Sequence, residues 1–108
     1  MRYLMMVIVD GEVTDGPTGP EIEGWVAEMD GKGVRLFGNR VVAPAEATTV
    51  RVRDGEVVLT DGPYVETKEQ MGGFDIIECA DLDQAIEVAA RHPMARRGMI
   101  ELRPFWEG

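Results

Sequence analysis

One cysteine and one histidine are all that the chain holds of the residue types most used for zinc binding and nucleophilic chemistry. A lone Cys79 excludes an intrachain disulfide, and with His92 as its only companion no Cys/His set exists for a structural zinc site. Cys79 lies in an apolar strand pattern and reads as a buried thiol rather than a nucleophile. Positive charge is scarce as well. Eleven basic residues face twenty acidic ones, for a formal net charge of −9. Such a field repels phosphate backbones and anionic lipid, so neither nucleic acid nor membrane is an expected partner. A small anionic ligand held by local arginines remains compatible with it. The longest apolar run, Leu4–Val9, falls far short of the roughly 20 residues that cross a bilayer. Arg2 is the only charge ahead of that run, Asp10 ends it early, and no small-residue cleavage site follows. The run therefore reads as a core strand of a cytoplasmic protein rather than as a signal peptide. The sequence also lacks G-x-S-x-G, H-E-x-x-H, G-x-G-x-x-G and a phosphate-binding glycine loop, so no cofactor or metal is expected.

What is present fits one soluble domain. The length of 108 residues and an apolar content of 44% suffice to bury a single core. Arg2–Val9 is apolar at both parities, the pattern of a central strand covered on both faces. Asp10-Gly11 and Asp15-Gly16-Pro17 mark a loop. Thr18 and Glu21 are spaced as a capping box, with Pro20 in the first turn. Ile22, Trp25, Val26 and Met29 then make one helical face, closed by Gly31 or Gly33. A second strand is predicted over Val34–Phe37, extending to Val41–Val42 with an interruption at Gly38-Asn39.

Asp54-Gly55 is the strongest short hairpin signal in the chain. A two-residue loop there pairs Arg53 with Glu56, Val52 with Val57 and Val50 with Leu59, placing the apolar residues on one face and Arg51, Arg53, Glu56 and Thr60 on the other. Gly72-Gly73 opens a predicted strand over Phe74–Cys79. Asp81 and Gln84 cap a helix whose apolar positions are Leu82, Ala85, Ile86 and Ala89, and Pro93 stops it. Met94–Gly98 reads as a connector, and Met99–Phe105 as a last strand ended by Pro104. The order β-α-β, hairpin, β-α-β is that of an α+β, ferredoxin-like (split βαβ) fold with an inserted hairpin. Two helices cover one face of such a sheet. The opposite face stays apolar, which implies a second copy of the chain as its cover, hence a homodimer.

The stretch DGPYVETKEQMGGF, together with RYLMMVIV, RDGEVVLTDGP and ELRPF, resembles the DGPF branch of the YCII-related family over nearly the whole chain. The resemblance implies a dimeric α/β barrel with a pocket. It also implies a His–Asp acid–base pair whose histidine lies in the first-helix region, where this chain has Trp25 and no histidine. DGPF proteins are further associated with extracytoplasmic-function sigma factors, which implies a regulatory partner of that kind.

Two readings of function follow. In the first, the chain is a small-molecule-binding protein or a metal-independent acid–base enzyme. Asp61 and His92 would be its acid–base groups, with Lys68, Arg103, Arg51 and Tyr64 around the ligand. In the second, it is a non-catalytic interaction module for a sigma factor. Each residue also has a plainer role: Asp61 capping its Gly62-Pro63 turn, His92 bonding the last carbonyls of its helix, Glu66, Lys68 and Glu69 solvating a surface, and Arg103 or Arg51 pairing with Glu101.

Overall fold

A computed structural model describes residues 1–10 and 15–108 of the chain. Gly11, half of the predicted Asp10-Gly11 turn, lies outside the described residues. The elements run β1 (Arg2–Asp10), α1 (Pro20–Gly31), β2 (Arg35–Arg40), a 3₁₀ turn (Pro44–Glu46), β3 (Thr48–Arg53), β4 (Glu56–Asp61), β5 (Glu69–Glu78), α2 (Leu82–Ala90), α3 (Met94–Arg97) and β6 (Met99–Pro104). Four strands form an antiparallel sheet in the order β2-β5-β1-β6, and β3-β4 form a separate ribbon. The protein is α+β, and this strand order is compatible with a ferredoxin-like fold. No helix among the described residues is long and apolar enough to cross a membrane.

Alternation along β1 divides the sheet into two faces. Tyr3, Met5 and Val7 point to the helices and are buried; with Trp25 and Met29 of α1, Ala85, Val88 and Ala89 of α2, and Ile77 and Cys79, they form the core. Ile22 and Val26 pack at its margin, so the predicted face of α1 is the one used. Leu4, Met6 and Ile8 point the other way. Cross-strand partners share a face, so Ile76, Phe74 and Met71 of β5, Phe37 of β2 and Met99 of β6 join them there. No element covers this apolar face among the described residues, and the Phe37 and Phe74 rings meet on it at 5.9 Å.

Four local expectations need correction. Thr18 does not cap α1: the N-cap is Gly19, at φ 134°, with no side-chain cap. Gly38-Asn39 does not interrupt β2, which runs through both. β5 begins at Glu69 rather than after Gly72-Gly73. Gly72 is the unpaired residue of a bulge, because Val7 faces Gly73 while Ile8 faces Met71. A side chain at Gly72 would run into Val9 and Pro17, so close approach rather than a turn demands glycine there. On α2 the buried residues are Ala85, Val88 and Ala89, whereas Leu82 and Ile86 are half exposed. The apolar stripe is wider than the buried one, and the contact with α1, including the Trp25 Nε1–H bond to the Val88 carbonyl at 3.0 Å, selects its Val88 side.

Candidate functional site

Three segments converge on the helix-covered side of the sheet and leave a cavity of about 210 Å³ between them. The segment before α1 and its first turns supply Pro17, Thr18, Ile22 and Val26; the sheet supplies Val7, Arg35, Asn39, Arg40, Gly73, Phe74 and Asp75; the end of α2 supplies His92.

Asp75 is there because β5 alternates. Its neighbours Phe74 and Ile76 point to the open face, so Asp75 must point inward beside Met5. A buried carboxylate needs a partner, and Arg35 provides one, with Nε donating to Oδ1 at 2.7 Å. The guanidinium also donates to Asp30 at 3.1 Å and to the Gly38 carbonyl at 2.8 Å, which fixes it on three sides. Gly38 lies opposite Asp75 across the ladder, and a Cβ at Gly38 would collide with Asp75 Oδ1. Desolvation raises the Asp75 carboxyl above its ordinary range, and Arg35 opposes that shift without cancelling it.

His92 follows the last turn of α2 and is 3% exposed. Its ring meets Trp25 edge-on at 4.8 Å. Nδ1 accepts the amide N–H of Met94 at 3.0 Å, so the ring serves the start of α3, not the last carbonyls of α2. Burial pulls its pKa down to about 4. At neutral pH the imidazole is uncharged. The cavity therefore offers a buried anion with its counter-ion, a neutral imidazole, and Arg40, which is exposed and donates to the Gly16 carbonyl at 3.2 Å. Such a set can hold a polar small molecule and move a proton.

The residues singled out in the sequence are scattered. Only His92 lines this cavity. Asp61 ends β4 and is exposed, bordering an open hollow with Gly62, Pro63 and Glu66. Among the described residues no backbone donor pairs with its carboxylate. The turn is held instead by Gly62 N–H to the Ala47 carbonyl at 2.7 Å and Thr49 Oγ1–H to the Gly62 carbonyl at 2.8 Å. Tyr64 is 82% exposed beside an apolar trough of about 520 Å³ between the 3₁₀ turn and β5, larger than the His92 cavity but lined by no charged group. Lys68 is exposed, and Gln70 closes its loop by donating to the Val65 and Thr67 carbonyls. Arg51 lies on the hairpin, 3.4 Å from Thr60 Oγ1. Arg103 lies on the open sheet face, paired with Glu101 at 2.6 Å. Asp61 and Arg103 line no common cavity among the described residues.

Asp75 and Arg35 were missed by sequence reasoning, although one signal was available. Asp75 is an acid in the middle of an otherwise apolar inward parity, where solvation cannot be its role.

An antiparallel sheet backed on one side by helices, with a small polar cavity between them and a separate hairpin, defines a small α+β protein. The sequence model of the YCII-related domain matches residues 1–107, and the chain belongs to that family. It is also 43% identical over 68 residues to an uncharacterized protein of Rhizobium meliloti strain 1021. That match covers 61% of this chain and 55% of the relative, so it spans about half of the relative's length.

Proposed function

We propose that the chain is a small-molecule-binding protein whose site is the cavity between α1 and the sheet, equipped for acid–base chemistry by Asp75 and His92. The observation that carries this reading is the neutral, buried His92 ring sharing that cavity with a desolvated, arginine-bound carboxylate. Titratable groups so placed are costly to the fold and concentrate at functional sites. The Asp61–Lys68 turn is a less supported place for the chemistry, since its side chains are open to water. A thermal-shift screen against metabolites at several pH values tests the proposal. Hits should raise the melting temperature of the wild type and vanish in Asp75→Asn. Hits that survive Asp75→Asn and vanish instead in Asp61→Ala would move the site to the turn.

The working unit in this reading is a homodimer closed through the open sheet face, as in a dimeric α/β barrel. The chain exposes 7203 Å², whereas a compact monomer of its mass exposes roughly 6,000 Å². The separate hairpin accounts for part of that excess and the open face for the rest, against about 800 Å² per partner in a standard interface.

A second reading, an interaction module for a sigma factor, draws on the hairpin. Val50, Val52, Val57 and Leu59 share one face of it, each 58–67% exposed, and the net charge of −9 suits a basic protein surface. Co-purification of the sigma factor with wild-type protein, lost on Val52→Asp, would favour this reading.

A further inference from the structure

We propose that His92 is a fixed hydrogen-bond donor to the cavity, its proton held on Nε2 by the Met94 amide, and that it takes a carbonyl or carboxylate oxygen of the bound molecule. This rests on the cavity being the binding site and narrows the class of ligand.

The argument begins with a donor that has no choice. A backbone N–H can only donate, so the ring nitrogen it meets must carry a lone pair. Met94 N–H meets Nδ1 at 3.0 Å. A neutral imidazole has one proton, which leaves it on Nε2. Among the described residues no protein group pairs with Nε2. Yet no sealed side-chain nitrogen or oxygen among them is without a partner. Nε2 therefore reaches open space, and the cavity is the space that His92 lines. The Trp25 ring against the imidazole at 4.8 Å prevents it from swinging aside.

A fixed N–H at a cavity wall sets what can bind. It attracts an acceptor, most strongly an oxygen bearing partial or full negative charge. It repels an ammonium or another N–H. In this tautomer Nε2 has no lone pair, so His92 cannot take a proton from the ligand. Arg35 and Arg40 are permanently cationic, which leaves Asp75 as the proton acceptor among the charged groups lining the cavity. His92 is thus a positioning and polarising group, and Asp75 is the group of the pair that can accept a proton.

The test uses the full chain labelled with ring-¹⁵N histidine, in which a single histidine gives one pair of ring resonances. Long-range ¹H–¹⁵N spectra at pH 7 should show a protonated Nε2 and a bare Nδ1. Titration with acetate, a minimal oxygen acceptor, should move the Nε2 resonance saturably, whereas methylammonium should leave it in place. A proton on Nδ1 or a charged ring at pH 7 would overturn the fixed donor. An Nε2 resonance unmoved by acetate up to its solubility would overturn the ligand class. A silent metabolite screen alongside a clear acetate response would retire the metabolite reading while keeping the donor. Metabolite hits abolished by Asp75→Asn alongside an Nδ1–H ring would keep the site and remove the donor.

Discussion

A neutral histidine and a desolvated aspartate in one cavity pull the pH dependence of stability in opposite directions. For His92 the folded pKa is about 4, below the unfolded value of 6.5. The unfolded state therefore binds the proton first, and stability is full above pH 6.5 and lost as pH falls toward 4. The loss amounts to about 3 kcal/mol once the window is crossed. Asp75 is raised instead. Its ionised form is penalised in the folded state, so protonation relieves the fold as pH falls toward the ordinary carboxyl range. Urea denaturation at pH 7, 5.5 and 4.5 should show the midpoint falling in the wild type, falling more steeply in Asp75→Asn, and flattening in His92→Gln. A midpoint independent of pH in Asp75→Asn, where the opposing carboxyl is gone, would show that the ring titrates freely. Gly38→Ala should cost about 1–3 kcal/mol in the same assay and weaken any cavity ligand, because the new methyl runs into both the Asp75 carboxylate and the Phe74 backbone carbonyl. Asp61→Ala should leave the midpoint within about 0.5 kcal/mol of wild type, since its exposed carboxylate caps nothing in the described structure. The residue scale was the least legible in the sequence. Gly38-Asn39 reads as a break, and only the facing position of Asp75 shows that Gly38 makes room for a carboxylate. His92 stood out by its rarity, but nothing local announces Trp25 or Met94 as its neighbours.

At the scale of elements, legibility follows how local the determining forces are. The hairpin was readable to the register: Arg53 faces Glu56, Val52 faces Val57, and Val50 faces Leu59. Asp54 and Gly55 take φ of 53° and 77°, the mirror-image turn that suits strand twist. The cap of α2 was equally plain. Asp81 Oδ1 accepts the Gln84 amide at 2.9 Å, and Gln84 returns a bond to the Ala80 amide at 2.6 Å. Asp81→Ala should cost about 1 kcal/mol, seen as a lower melting temperature with ligand response intact. α1 offered the same Thr-x-x-Glu spacing, yet Gly19 occupies the N-cap. One spacing rule thus gave one right start and one wrong one, because Pro20 moved the helix start past Thr18. β5 was truncated in the reading because two glycines suggest a boundary, whereas here they are sites of close approach. Met99–Phe105 was placed within one residue, whereas β2 runs three residues past the predicted Phe37 and stops before Val41–Val42.

For the whole molecule, the sequence pattern of β1 already implied a sheet with two apolar faces and helices enough for one. That is what the fold contains, with Leu4, Met6, Phe37, Phe74 and Ile76 on the uncovered side. Sedimentation equilibrium should report a dimer for the wild type and a monomer for Phe37→Asp, which puts a charge where Phe37 meets Phe74. A wild-type monomer at micromolar concentration would leave the open face to another partner. The long axis of 47 Å against a short axis of 19 Å reflects the hairpin, which forms its own ribbon away from the sheet.

The bulge at Gly72 acts on β5 as an inserted letter acts on a reading frame. Upstream of it Met71 shares a face with Ile8; downstream Phe74 shares that face with Met6. Plain alternation could not put both on one side, because three positions separate them. Straightening the strand with Gly72 kept in the ladder would put Met71 on the opposite face and send its neighbour Gln70, which now ties the 65–67 loop, across as well. Deleting Gly72 would instead leave Gly73 facing Val7 and Met71 facing Ile8 in plain register. The extra letter is thus tolerated because it is blank: a side chain at this position would have to displace Val9 and Pro17, while a chain without the residue would read on in the same frame.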